Sequence, residues 1–301
     1  MQEDLIKRIL KLKEERNALI LAHNYQPDEI QDLADYVGDS FGLSQQAAET
    51  EKNVIVFCGV YFMGEVAAIL SPKKTVLLPD PEAGCPLADT ISAESLKEAK
   101  KKHPHAAVVC YINSPAAVKA ESDICCTSSN AVKIVESVSA NEILFVPDKN
   151  LAHWVAHQSQ KKIIPWEGCC PTHDCITPFD IEKIREQYPG IPVAIHPECP
   201  PSAVEKADFV GSTGAILDFA RKTADPEIII VTEKGILHRL KQENPEKDFI
   251  LLSPKLICPT MKQISLEKVL RSLENMETII KVPEETRKKA EQALRRMLAV
   301  K

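Results

Sequence analysis

The sequence has little that would take it out of water or onto a polyanion. No apolar run among its 301 residues approaches the roughly 18 needed to cross a bilayer, so no membrane span is expected. The net charge is −6 with no Lys/Arg-dense patch, which argues against a nucleic-acid binder, whose affinity rests on neutralising phosphates. The first residues, Met-Gln-Glu-Asp-Leu-Ile-Lys-Arg, are charged and lack the apolar core of a secretory signal, which points to the cytoplasm. Aromatic residues make up only 5%, but 44% hydrophobic and 27% charged is an ordinary globular balance, and the length suits two or three small domains.

Paired Cys-x-x-Cys knuckles of a structural zinc site are also missing, although the chain has 10 cysteines. A reducing compartment excludes a disulfide framework. Most of these thiols are therefore expected to be small buried hydrophobes. A subset is organised, and an internal repeat reveals it.

Sliding the chain by 85 residues lays Cys85-Pro86 on Cys170-Pro171, and the match runs without a gap through Asp89/Asp174, Ile91/Ile176, Pro104/Pro189, Val108/Val193 and Pro115/Pro200. These are seven identities in 31 positions, where chance gives roughly two. The register persists at Asp123/Asp208, Val146/Val231, Lys149/Lys234 and His153/His238. A shift of 88 adds a third copy, with His23-Asn24-Tyr25 on Tyr111-Ile112-Asn113, Asp35 on Asp123, Ser40 on Ser128 and Phe57 on Phe145. The same shift carries Cys170-Pro171-Thr172 onto Cys258-Pro259-Thr260, and Ile176-Thr177 onto Ile264-Ser265. The C-terminal segment reads as a truncated unit that packs on the first and closes a pseudo-threefold ring. The expected units are 1–84 completed by 259–301, then 85–169, then 170–258.

Within each unit, short β-rich runs alternate with amphipathic stretches. The first runs are Ala18–Ala22, Ala106–Cys110 and Pro192–Ile195; the second are Tyr36-Val37, Ile124-Cys125 and Phe209-Val210. The third are Val54–Cys58, Ile143–Val146 and Ile228–Val231; the last are Thr75–Leu78, Lys162–Ile164 and Phe249–Leu252. Helical patterns such as Ala93–Lys102, Ala131–Val138 and Pro178–Gln187 lie between them. Continuous apolar runs separated by helices indicate parallel strands covered on both faces. The fold class is α/β: three homologous small parallel-sheet sandwiches.

Ligands bind such sheets beyond the carboxyl ends of the strands, and the polar residues of the repeat fall there. After the first strand come His23/Tyr25, Tyr111/Asn113 and His196/Glu198. After the second come Ser40, Ser128 and Thr213, each just before a helix, where a hydroxyl and free amides suit an anion. Singly, each hydroxyl reads as an ordinary helix cap. Duplicated structural residues should stay alike, however, and these have diverged chemically at fixed positions. That is expected when three domains give different groups to one pocket.

Cys85, Cys170 and Cys258 hold one repeat position, so threefold symmetry brings them toward one axis. Three thiolates can hold zinc or an iron–sulfur cluster, and three on a four-iron cluster leave one iron open as a Lewis acid. Cys125, Cys126, Cys169, Cys175 and Cys199 lack counterparts. His153 and His238 are repeat-equivalent but lie about a helical turn past their strands, where core or capping roles fit.

Together these motifs resemble the quinolinate synthase family, over essentially the whole chain. They are Leu21-Ala22-His23-Asn24-Tyr25-Gln26, Gly38-Asp39-Ser40, Tyr111-Ile112-Asn113-Ser114, Cys126-Thr127-Ser128-Ser129-Asn130, Cys170-Pro171-Thr172-His173, His196-Pro197-Glu198-Cys199 and Gly211-Ser212-Thr213-Gly214. The resemblance implies three α/β domains around a central [4Fe-4S] cluster held by Cys85, Cys170 and Cys258. It also implies a transferase that condenses iminoaspartate with dihydroxyacetone phosphate to quinolinate, phosphate and water, in NAD biosynthesis. Implied substrate contacts are His23, Ser40, Tyr111, Ile112, Asn113, Ser128, His196, Pro197, Glu198 and Thr213. Some members carry Cys-x-x-Cys at the third ligand as a redox switch; here the segment is Cys258-Pro259-Thr260-Met261, which lacks the second thiol.

For proton transfer, Glu198 is expected as the main base and Tyr25 as an acid, with His23 and His196 in the same cast. Functional coupling to an L-aspartate oxidase or dehydrogenase would supply the imine. The alternatives are another open-iron hydro-lyase acting on a small dicarboxylic acid, or a non-catalytic iron–sulfur or zinc sensor.

Overall fold

A computed structural model describes residues 2–300; positions 1 and 301 of the expected first unit lie outside the described residues. It contains three sheets of four parallel strands. The first has β1 (Ala18–His23), β2 (Tyr36–Gly38), β3 (Val54–Cys58) and β4 (Thr75–Leu77) in the order β2-β1-β3-β4. In the second, β5 (Ala107–Tyr111), β6 (Ile124–Cys126), β7 (Glu142–Val146) and β8 (Lys162–Pro165) run β6-β5-β7-β8. The third repeats the order as β10-β9-β11-β12, from β9 (Val193–Ile195), β10 (Phe209–Val210), β11 (Glu227–Val231) and β12 (Asp248–Leu251). The sequence runs locate every strand to within one residue at each end. Burial explains why: β3 is buried throughout and β7 from Ile143 to Val146, as strands covered on both faces require.

The residues that recur unchanged are those that build the unit. Asp35, Asp123 and Asp208 each stand just before the short second strand. Each accepts, through its carboxylate, the backbone N–H fifteen positions earlier: Ile20 at 2.8 Å, Val108 at 2.8 Å and Val193 at 2.7 Å. Each also returns its own N–H to that residue's carbonyl, at 2.9, 3.1 and 3.0 Å. This double clasp pins each short edge strand to the first strand. Pro27, Pro115 and Pro200 likewise each precede a short helix and accept the N–H four residues on, from Gln31, Lys119 and Val204. Ser92, Thr177 and Ser265 cap the helices Ala93–Lys102, Pro178–Gln187 and Leu266–Asn275.

The C-terminal segment divides its packing. Helix Leu266–Asn275 sends Leu266, Val269, Leu270 and Leu273 into one core with Ile9, Ile20, Val56 and Leu77 of the first sheet's layer. Helix Glu284–Ala299 instead packs on helix Ala116–Ala120 and β6 of the second unit, where Arg296 Nη1 donates to the Asp123 carbonyl at 2.7 Å. That last helix also contacts helix Tyr61–Leu70 beside the first sheet, and it buries Ala293, Leu294 and Met297 in the larger core, to which all three sheets contribute. Among the described residues, no helix is long and apolar enough to cross a membrane.

Asp123→Ala should lower stability by about 2 kcal/mol, the scale of a hydrogen bond to a charged group. Asp123→Asn, which keeps an acceptor, should cost less, and urea unfolding of both variants checks the order.

Candidate active site

The carboxyl ends of the three sheets open onto one cavity. After the first strands it receives His23 and Tyr25, then Tyr111 and Asn113, then His196 and Glu198; after the second strands it receives Ser40, Ser128 and Thr213. Cys85, Cys170 and Cys258 line the same cavity. Of the expected contacts, Ile112 and Pro197 do not form its wall: both side chains are buried, and the Ile112 N–H is already given to the Cys126 carbonyl at 2.8 Å.

Capping does not account for the hydroxyls. Helix Ser40–Glu49 is capped by Asp39, which accepts from the Gly42 N–H at 2.9 Å, and helix Thr213–Lys222 by Ser212, which accepts from Ala215 at 3.2 Å. At the third such position, Asn130 Oδ1 accepts the Thr127 N–H at 2.7 Å. Ser40 and Ser128 therefore face the cavity with no side-chain hydrogen bond among the described residues, while Thr213 takes only the Asn24 amide at 3.3 Å. Asn113 Oδ1 is buried with no partner among them either, an acceptor that a ligand donor would satisfy.

His23 and His196 are built alike. Each Nδ1 accepts the backbone N–H two residues on, from Tyr25 at 3.1 Å and from Glu198 at 3.3 Å. That fixes the proton on Nε2. Burial pushes both rings down to about 3, helped at His23 by Lys262. Both are neutral near pH 7, so the 3.9 Å approach of His196 Nδ1 to the Glu198 carboxylate is not an ion pair.

Glu198, 3% exposed, is the buried anion at the centre. Tyr111 donates to Oε1 at 2.6 Å, Asn113 Nδ2 approaches the same atom at 3.4 Å, and His173 Nδ1 lies 2.8 Å from Oε2. Burial pushes the carboxyl up. The His196 and His173 imidazoles and the bonds from His173 and Tyr111 outweigh that and hold it below the usual carboxylate range. Tyr25 and Tyr111 move the other way: burial and then Glu198 raise both phenols well above 10.0, so they keep their protons.

Two residues outside the expected set connect these groups. Tyr25 Oη lies 2.5 Å from Thr232 Oγ1, which lies 2.9 Å from His173 Nε2. Tyr25, Thr232 and His173 thus form one hydrogen-bonded chain, which ends against the Glu198 carboxylate, 2.8 Å from His173 Nδ1. The repeat conceals the two middle links, since His173 corresponds to Ala88 and Met261, and Thr232 to Pro147 and Gly59. His173 was readable only as part of the Cys-Pro-Thr-His motif.

Each of the three cavity cysteines leads into a short helical turn: Ala88–Thr90, Pro171–Asp174 and Thr260–Lys262. Burial pushes Cys85 up to about 12 and Cys170 well above 9.0, so both are thiols until a cation in the cavity displaces their protons. Thiolates on one tetrahedral zinc would sit about 3.8 Å apart. The three cysteines are set wider than that among the described residues. Cys170, His173 and Glu198 do place donor atoms close together, a group that could hold a metal ion, with His173 Nδ1 3.3 Å from Cys170 Sγ and 2.8 Å from Glu198 Oε2.

Cys58, Cys110, Cys125, Cys126 and Cys199 are buried as expected, whereas Cys175 is exposed and Cys169 partly so. His153 is exposed, and His238 pairs with Asp32 at 2.7 Å near the surface, so neither is a core or capping residue.

The two depressed imidazoles set an acid limit. Each titrates near 6.5 in the unfolded chain and near 3 in the folded one, so the unfolded chain binds more protons between those values. The stability of the metal-free protein should be full above about pH 6.5 and fall as pH drops toward about 3. Urea unfolding across that range should show the fall, and His196→Gln should flatten it.

The sequence profile described as quinolinate synthetase A protein matches residues 7–299. The chain is 55% identical over 300 residues to "Quinolinate synthase 1" of Methanosarcina acetivorans, covering 100% of this chain and 99% of that relative. It is 54% identical over 299 residues to "Quinolinate synthase" of a Geobacter species, covering 99% and 98%. It is 54% identical over 301 residues to "Quinolinate synthase" of a Dehalococcoides mccartyi strain, covering 100% of both. With a match along its whole length, the chain belongs to the quinolinate synthetase A protein family.

Proposed function

We propose that the protein is a quinolinate synthase of NAD biosynthesis. It condenses iminoaspartate with dihydroxyacetone phosphate, releasing phosphate and water, and works in the cytoplasm beside an L-aspartate oxidase or dehydrogenase. The observation that carries this reading is the convergence in one cavity of chemically different residues from equivalent positions of three units. The units themselves are proposed as 85–169, 170–258 and 1–84 with the C-terminal segment, arranged about a pseudo-threefold axis.

Cys85, Cys170 and Cys258 would hold a [4Fe-4S] cluster, whose iron without a cysteine ligand supplies a Lewis acid for a substrate oxygen. The rest of the chemistry falls to the chain's own side chains. Both substrates are anions, and the protein meets them with few basic residues: the Nε2–H donors of His23 and His196, the hydroxyls of Ser40, Ser128 and Thr213, and the helix N-termini behind those hydroxyls. Asn113 and Tyr111 complete the donor set on the second unit. Ile112 and Pro197 drop out as side-chain contacts.

Glu198 is ionised and positioned by two bonds, so it takes a proton from carbon or nitrogen as the ring forms. Tyr25 keeps its proton and gives it to a departing hydroxide. Thr232 and His173 join the two, so the proton gained at Glu198 and the one given up at Tyr25 belong to one hydrogen-bonded system. Burial of the whole set excludes water, against which an imine must be protected.

The test is an anaerobic assay of iron–sulfide-reconstituted protein with freshly generated iminoaspartate and dihydroxyacetone phosphate, with quinolinate read by chromatography and mass. Quinolinate should form, and should disappear in Cys170→Ala. An intact cluster with no product would favour a hydro-lyase acting on a dicarboxylic acid, and zinc in place of iron would remove the mechanism. Glu198→Gln should keep the cluster absorbance and lose at least ~100-fold in turnover; near-normal turnover would exclude it as the base.

A further inference from the structure

Glu233 is fully buried in the cavity wall, two residues past β11, and neither the substrate donors nor the proton chain uses it. Its Oε1 accepts the backbone N–H of Cys258 at 3.1 Å, and its Oε2 accepts that of Gly235 at 2.7 Å. Lys262 Nζ closes on the same carboxylate, 2.9 Å from Oε1 and 3.0 Å from Oε2, and also donates to the main-chain carbonyl of Tyr25. One carboxylate–ammonium pair thus joins the backbone of the third thiol to the backbone of Tyr25.

The repeat shows that this position is used more than once. At 85 residues earlier stands Asp148, also fully buried, two residues past β7. Its carboxyl takes the Leu151 N–H at 2.7 Å and faces the amides of Cys170 and Asn150. At 88 residues earlier still stands Val60, which has no carboxylate to offer Cys85. Of these two acids only Glu233 holds the amide of its cysteine in a hydrogen bond; Asp148 Oδ2 has no partner among the described residues. Only at Cys258 is the acid paired with a lysine.

We infer that Glu233 and Lys262 are a positioning pair for the third cysteine: together they fix Cys258 and Tyr25 in one frame and set the charge beside the thiolate. This rests on the cluster reading above. An amide N–H bound to Glu233 is withheld from the cluster's sulfur atoms, and the carboxylate adds negative charge near them. Both effects lower a cluster's reduction potential, and Lys262 offsets the second.

The experiment compares reconstituted wild type, Glu233→Gln and Lys262→Met. Chelator-driven loss of cluster absorbance should be about 10- to 100-fold faster in both variants, the usual cost of losing a group that orients a ligand. The reduction potential should move in opposite directions, upward in Glu233→Gln and downward in Lys262→Met. A fold that had merely loosened would move both the same way, and that outcome would overturn the pairing, as would wild-type loss rates and potentials in both variants. Should Glu233→Gln fail to fold, Lys262→Met decides alone, because its side chain reaches solvent at 20% exposure: a downward shift supports the pairing and an unchanged potential overturns it. A wild-type chain that assembles no cluster overturns the cluster reading, and the pairing with it. A wild type with its cluster and unresponsive variants overturns the pairing alone.

Discussion

A carboxylate with almost no access to water is tolerated only where fixed donors replace its hydration. Glu198 is such a group, and much of the site's geometry follows from satisfying it. Its side chain draws Tyr111 from the end of β5 and His173 from the turn after Cys170. Its main-chain carbonyl takes Asn150 Nδ2 at 2.9 Å, from the helix after β7. Tyr111 and Asn150 flank the second sheet, so the side chain and the main chain of Glu198 together tie that sheet's layer to the third. The same carboxylate orders His173, and through Thr232 it orders Tyr25 at the end of the first sheet. Structure and reactivity are in this sense the same set of bonds.

The repeat separates these demands along the chain. Asp35, Asp123 and Asp208 are identical because each performs the same clasp on an edge strand, at 2.8, 2.8 and 2.7 Å. At the cavity, equivalent positions hold His23, Tyr111 and His196, or Ser40, Ser128 and Thr213, because a shared pocket has no use for three copies of one group. Duplication supplied a frame of interchangeable parts, and the ligand-facing ends then ceased to be interchangeable.

That history decides what was legible in the sequence. Strands buried on both faces, such as β3 and β7, read as continuous apolar runs, while the half-buried edge strands β8, β10 and β12 are legible through their place in the repeat. Divergent polar triplets marked the cavity for the same reason that they line it. His173 and Thr232 escaped because their partners in the other units are Ala88 and Met261, or Pro147 and Gly59, and no pattern across copies can flag a residue that occurs once. Asp39 and Ser212 escaped for a different reason: a cap and its neighbour are one residue apart, and only the bond to Gly42 or Ala215 shows which of the two is spoken for. The docking of helix Glu284–Ala299 on the second unit was equally invisible, since an amphipathic stripe states that a partner exists and not which one.

The divided packing of the C-terminal segment has a consequence for the order of assembly. Cys258 is the last of the three cavity thiols along the chain, and the segment after it must find one surface beside the first sheet and another on the second. During synthesis, the first two sheets therefore stay partly uncovered, and the cavity incomplete, until the residues that follow Cys258 have been made.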